Sequence, residues 1–98
     1  MDELQQQILA WAKEKGILDK ATPETQLTKV TEEHMELVKA IYQNDGIGII
    51  DGIGDSVITL VILTELSGYN FKECVEYAYK QIKHRTGKMV DGVFVKDK

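Results

Sequence analysis

From Ile47 to Leu66 the chain places Ile, Val and Leu on nearly every side of a helix, with no lysine or arginine in the stretch. A helix apolar all round either sits in the middle of an assembly or crosses a membrane. Asp51, Asp55 and Glu65 interrupt this one, as do Gly48, Gly52 and Gly54. A charge near the centre of a span costs roughly 2.5–3.5 kcal/mol. The segment therefore reads as the core helix of a cytoplasmic protein that does not enter a membrane. The opening Met1-Asp2-Glu3-Leu4 lacks the basic start and apolar run of a secretory signal, which fits that reading.

The rest of the chain supplies partners for this helix. Leu4, Ile8, Trp11 and Ala12 recur at helical spacing before Gly16, predicting a helix from about Glu3 to Lys15, and Ile17 to Ala21 reads as a connector. Thr22-Pro23 is a helix start, with a hydroxyl cap and a proline whose missing N–H costs nothing there. The helix it opens runs to about Gln43, with Leu27, Val30, Leu37, Val38 and Ile41 as its buried stripe. Asn70 caps a last helix, with Glu73 three residues on, expected to reach Arg85 and close at Gly87. Asp91-Gly92 between apolar pairs predicts a tight turn or short hairpin. The expectation is one all-α domain over residues 1–98: a four-helix bundle with its core completed by a second subunit, as a homodimer or homotetramer. Cys74, among Phe71, Val75 and Ala78, reads as a buried apolar residue. The net charge of −4 excludes broad binding to a nucleic-acid polymer, though a single nucleotide needs only a local basic spot.

Two carboxylate clusters carry the chemistry. Glu32, Glu33 and Glu36 share a face of the second helix by their spacing, and Asp51 and Asp55, four apart, share one of the third. Glutamates alone are ordinary on a solvated helix face. Aspartates set among isoleucines should be partly desolvated, and no cation on their own helix can pair with them. Hard oxygen ligands in this number suit Mg²⁺, with Mn²⁺ as a substitute, better than zinc. The helical glycines, each costing roughly 1 kcal/mol against alanine, leave two explanations open: close helix approach, or room for a ligand.

Glu32-Glu33-x-x-Glu36, then a short turn and an Ile-Gly-Asp55 helix, resembles the MazG-like all-α nucleoside triphosphate pyrophosphohydrolases. Ala21-Thr22-Pro23-Glu24-Thr25-Gln26 and the closing Gly87–Lys96 segment are similar to a small, phage-type branch of that family. The family's second motif is Glu-x-x-Asp, and here Gly52 stands at the glutamate's position, with Asp51 one residue earlier. The resemblance implies hydrolysis of a nucleoside triphosphate to monophosphate and pyrophosphate, in nucleotide-pool control or house-cleaning. It implies that Glu33, Glu36 and Asp55 hold Mg²⁺, with Asp51 standing in for the missing ligand, and that Glu32 positions or deprotonates the attacking water.

Pyrophosphate leaving such a site needs positive partners, and Lys80, Lys83, Arg85 and Lys88 at the basic end of the last helix are the candidates. Cations at a helix C-terminus also complement its dipole without touching a ligand. Gly52 sustains a rival reading, a non-catalytic helical oligomerisation or binding module with a vestigial acidic site.

Overall fold

In the computed structural model, which describes residues 2–98, the described chain forms helices α1 (Asp2–Glu14), α2 (Ile17–Lys20), α3 (Pro23–Tyr42), α4 (Gly46–Leu66) and α5 (Phe71–Ile82). Strands β1 (Gly87–Val90) and β2 (Val93–Lys96) follow as an antiparallel hairpin, pairing Lys88 with Val95 and Met89 with Phe94. The architecture is all-α with a small hairpin, as the sequence predicts.

The expected caps form. The Thr22 hydroxyl accepts the Thr25 N–H at 3.2 Å, the Thr25 hydroxyl accepts the Thr22 N–H at 2.9 Å, and Pro23 opens α3. Asn70 caps α5 by accepting the Glu73 N–H at 3.1 Å; Asp45, not among the expected caps, caps α4 by accepting the Gly48 N–H at 3.0 Å. Asp91 and Gly92 both take positive φ, 50° and 82°, as the two-residue turn that matches strand twist requires.

α4 lies centrally, against α3 along most of its length and against α1, α2 and α5 more briefly. The seam of α3 keeps Val30 and Leu37 of the predicted stripe and leaves out the other three. It runs through Gln26, Val30, Glu33, Leu37 and Ala40, at alternating spacings of four and three, with Gln26 and Ala40 fully buried. Leu27, Val38 and Ile41 face outward. Periodicity identifies an apolar stripe but not which of two neighbouring stripes this chain covers. Gln26 fixes the seam's register by donating from Nε2 to the buried Thr59 carbonyl at 3.2 Å.

Gly52 settles the two explanations of the helical glycines at its own position. A Cβ there would stand 3.1 Å from Leu37 Cα, so α3 and α4 touch backbone to backbone. Around Gly54 nothing lies within 4 Å. A second apolar core lies across α4 from this seam, formed by Ile8, Ala12, Val61 and Ile62, with Leu18, Val57 and Phe71 packed against it.

Three further expectations are corrected. The connector contains the single-turn helix α2. α5 ends at Ile82 rather than Arg85, because the hairpin claims the chain from Thr86: its hydroxyl donates to Asp97 Oδ2 at 2.7 Å, and its carbonyl accepts the Asp97 N–H at 2.9 Å. Gly87 therefore opens β1, where the Phe94 ring lies over it. Cys74 is exposed, as is every residue of α5 after Phe71, because that helix packs only slightly against α4.

α4 is long and apolar enough to cross a membrane by length and composition. Its N-terminal half is open on one side, with Ile47 75% and Ile50 72% exposed. Replacing Gly52 by Ala should destabilise the protein by about 1–2 kcal/mol, as overpacking at Leu37 outweighs the gain in helix propensity. Gly54→Ala should stabilise it by up to about 1 kcal/mol. Urea unfolding of the two variants checks the opposite signs.

Candidate active site

The seam that brings α3 against α4 opens, toward the α3–α4 turn, into a cleft of about 410 Å³. Glu33 and Glu36 reach it from α3, and Asp51 and Asp55 from α4. The four carboxylates predicted from two separate clusters thus line one space. Gly52 and Ala40 form its apolar floor, and their small size lets the helices close beneath the acids.

Asp51 and Asp55 are exposed, not desolvated, because their face of α4 opens on the cleft and not on the core. Glu33 is half-buried at the seam. Neither ion pair among the described residues, Lys29–Glu32 and Lys72–Asp2, involves any of the four. Like charges lining one space repel, so their negative charge attracts a cation. Among the described residues no three acidic, imidazole or thiol groups stand close enough to hold an ion as placed. The donor set nonetheless fits a hard dication, since the candidate ligands are all carboxylates and three of the four are exposed in an open cleft.

Glu32 lies outside the cleft lining. Its Oε2 accepts a hydrogen bond from Lys29 Nζ at 3.0 Å, and that bond, with the charge of the partner, holds the Lys29 ammonium above the usual lysine pKa. Lys80, Lys83, Arg85 and Lys88 do not reach the cleft of their own chain. The lysine that does is Lys39, which sequence reasoning passed over. Its place three residues after Glu36 was the available signal, since that spacing returns to the same face.

Beside the cleft the surface turns apolar. A cavity of about 360 Å³ lined by Ile8, Trp11 and Ile58 and another of about 220 Å³ reached by Trp11, Lys29 and Ile62 both border Asp55. Trp11, read from sequence as a packing residue, is 49% exposed and forms a wall of each.

Residues 21–90 match the MazG nucleotide pyrophosphohydrolase domain. An uncharacterised 18.2 kDa protein of Haemophilus phage HP1, from its rep-hol intergenic region, is 32% identical over 65 residues. That alignment covers 66% of this chain and 40% of the phage protein, so the chain spans well under half its relative's length. No solved structure matches the chain. The matched region contains both acidic helices and the whole cleft, and the chain belongs to the MazG nucleotide pyrophosphohydrolase family.

Proposed function

We propose that this protein hydrolyses nucleoside triphosphates, ribo- or deoxyribo-, to the monophosphate and pyrophosphate, with Mg²⁺ held by Glu33, Glu36, Asp51 and Asp55. One observation carries the reading: two carboxylates from each of two packed helices line one cleft, and none is paired to a cation. Mn²⁺ would serve in place of Mg²⁺. A dication bound there would neutralise phosphate oxygens and lower the barrier to in-line attack by water.

The chain's own residues do the rest. Asp51 takes the place of a glutamate at position 52, because a side chain there would run into the Leu37 backbone. Lys39 meets negative charge at the cleft's inner end. The apolar cavity under Trp11, bordering Asp55, accommodates the nucleoside while the phosphates lie over the carboxylates. Glu32, one residue before the cleft-lining Glu33, positions the attacking water and takes its proton once it parts from Lys29. The exposed apolar residues of α3 and α4, among them Met35, Tyr42, Ile47 and Ile50, favour a homodimer or homotetramer. The charges of α4 and its place beside the cleft favour a cytoplasmic, nucleotide-handling role over a membrane one.

Incubation with a panel of canonical and modified nucleoside triphosphates and Mg²⁺ should release pyrophosphate and monophosphate, resolved by chromatography. Chelation should abolish turnover, and Asp55→Ala should lower kcat at least about a hundredfold. Trp11→Ala should mainly raise KM. A folded, assembled protein that turns over none of the panel would instead be a binding module.

Glu32→Gln should lower kcat by about 10²–10⁴-fold at nearly constant KM. Should Lys29→Met produce an equal loss, Glu32 serves only to hold Lys29 and the assignment fails.

Ion binding has its own readout in thermal unfolding. Mg²⁺ at a hundred times its dissociation constant should stabilise the protein by about 2.7 kcal/mol. Glu36→Gln should raise the melting temperature of the ion-free protein slightly, by relief of repulsion, and remove most of the response to Mg²⁺. An undiminished response would place the ion elsewhere.

A further inference from the structure

A buried amide on the α3–α4 seam has more hydrogen-bonding capacity than the seam uses. Gln26 is only 4% exposed, and its Nε2 donates to the Thr59 carbonyl at 3.2 Å. A carbonyl oxygen accepts and never donates, so this contact decides which end of the amide is which: nitrogen toward Thr59, Oε1 away from it. Turning the amide over would set two acceptors against each other and leave the Thr59 carbonyl unpaired inside the seam. Among the described residues no donor bonds Gln26 Oε1, and the sealed side-chain atoms without partners are Gln5 Oε1 and Ser56 Oγ, not this one. Oε1 therefore keeps an open approach, and Gln26 lines the recess of about 220 Å³ beside Trp11.

That recess has a floor and a mouth. Gln26, Thr59 and Ile62 are buried at its floor, while Lys29 and Asp55 are exposed at its mouth. Trp11, Ile17 and Ile58 form apolar walls between them. Thr59 adds no free donor, because its hydroxyl donates to the Ser56 carbonyl at 2.9 Å. Lys29 is engaged outside the floor, with Glu32 at 3.0 Å. The floor thus offers a ligand a fixed acceptor and no donor.

We propose that this recess selects the base of the substrate, and that Gln26 Oε1 makes it prefer bases with an exocyclic amino group, cytosine and adenine, over the oxo bases uracil, thymine and guanine. The placement of the phosphates rests on the hydrolase reading above. Asp55 belongs to both the cleft and the recess, so with phosphates over the carboxylates the sugar end of the base stays at the mouth. The position opposite the glycosidic bond, C4 of a pyrimidine or C6 of a purine, then lies deepest. Cytosine and adenine carry an N–H donor there, and uracil, thymine and guanine carry a carbonyl. A donor meets Oε1. A carbonyl would face it acceptor to acceptor, both out of water and neither paired. An amide free to swivel would accept either base; the bond to Thr59 removes that freedom. Uracil and hypoxanthine, the deamination products of cytosine and adenine, fall on the rejected side, so the recess sorts against deaminated nucleotides.

A substrate series tests this in the unaltered protein. The kcat/KM for CTP should exceed that for UTP, and that for ATP should exceed that for ITP, each by at least about a hundredfold. A site built around a buried hydrogen bond rejects a ligand that cannot make it far more strongly than shape alone does. The triphosphate of unsubstituted purine riboside, with hydrogen at C6, should fall between ATP and ITP, because it loses the bond without adding the repulsion. Ratios within about threefold would overturn the assignment, as would a preference for UTP and ITP. Gln26→Met keeps the side chain's length and removes the amide, and should bring CTP and UTP within about tenfold of each other. Wild-type discrimination in that variant, shown by urea unfolding to be folded, would leave Gln26 only its place in the seam. Should the variant not fold, the substrate series decides by itself.

A second measurement needs no turnover. Trp11 is the only tryptophan of the chain and a wall of the recess, so its fluorescence reports occupancy. Quenching by CMP should saturate at a concentration at least about tenfold below that for UMP, and equal affinities, or no quenching by either, would refute the base preference. Tighter binding of CMP by a protein that releases no pyrophosphate from any triphosphate would keep the base preference and remove the hydrolase reading. Equal turnover of CTP and UTP would do the reverse.

Discussion

The contact between Gly52 and Leu37 sets the distance at which everything else in this protein operates. A Cβ at position 52 would stand 3.1 Å from Leu37 Cα, so α3 and α4 approach backbone to backbone, and Ala40 continues the contact toward the turn, against Gly48. Carboxylates on these helices then reach a common space from opposite walls. A larger residue at position 52 would splay the helices and widen the gap an ion must bridge. The glycine that departs from the family's usual glutamate is thus part of how this chain builds an acidic cleft, and Asp51, one position round the helix, faces the space that the approach leaves open.

Much of this was legible in the sequence because it depends on neighbours a few residues apart. Thr22-Pro23, Asn70 and Asp91-Gly92 act through bonds or dihedrals within their own turn, so local chemistry fixes them. The sharing of one cleft by Glu33, Glu36, Asp51 and Asp55 was legible too, since a short turn forces antiparallel neighbours to face each other. What escaped depends on which face of a helix finds a partner. Leu27, Val38 and Ile41 form as good an apolar stripe as Val30 and Leu37, and only packing distinguishes the two. Cys74 failed for the same reason: its helix has an apolar stripe, and the single chain provides nothing to cover it.

The seam itself is unusual in being sparingly apolar. Gln26, Glu33, Ser56 and Thr59 share it with small residues, and the Gln26–Thr59 hydrogen bond satisfies one buried polar pair. Such a seam gains less from burial than a leucine-rich one, at roughly 25 cal/mol per Å² of apolar area. Its compensation is specificity of register. A slip of α3 along α4 would break a buried hydrogen bond and drive Leu37 into something larger than glycine. The close approach at the floor fixes the helices, while the carboxylates above it face an open cleft.

The apolar surface left uncovered around this scaffold follows from the same economy. A chain of 98 residues buries too little to cover both sides of a helix as apolar as α4. α3 covers one side of α4 along the seam and the cleft floor, α1 covers another at Val57 and Val61, and the continuation of that second stripe toward the N-terminus, at Ile50, stays open. The basic residues of the chain's last part, Lys80, Lys83, Arg85 and Lys88, stand away from the cleft, so Lys39 is the one cation among the described residues that lies among its five acids, and the carboxylates keep a net negative charge.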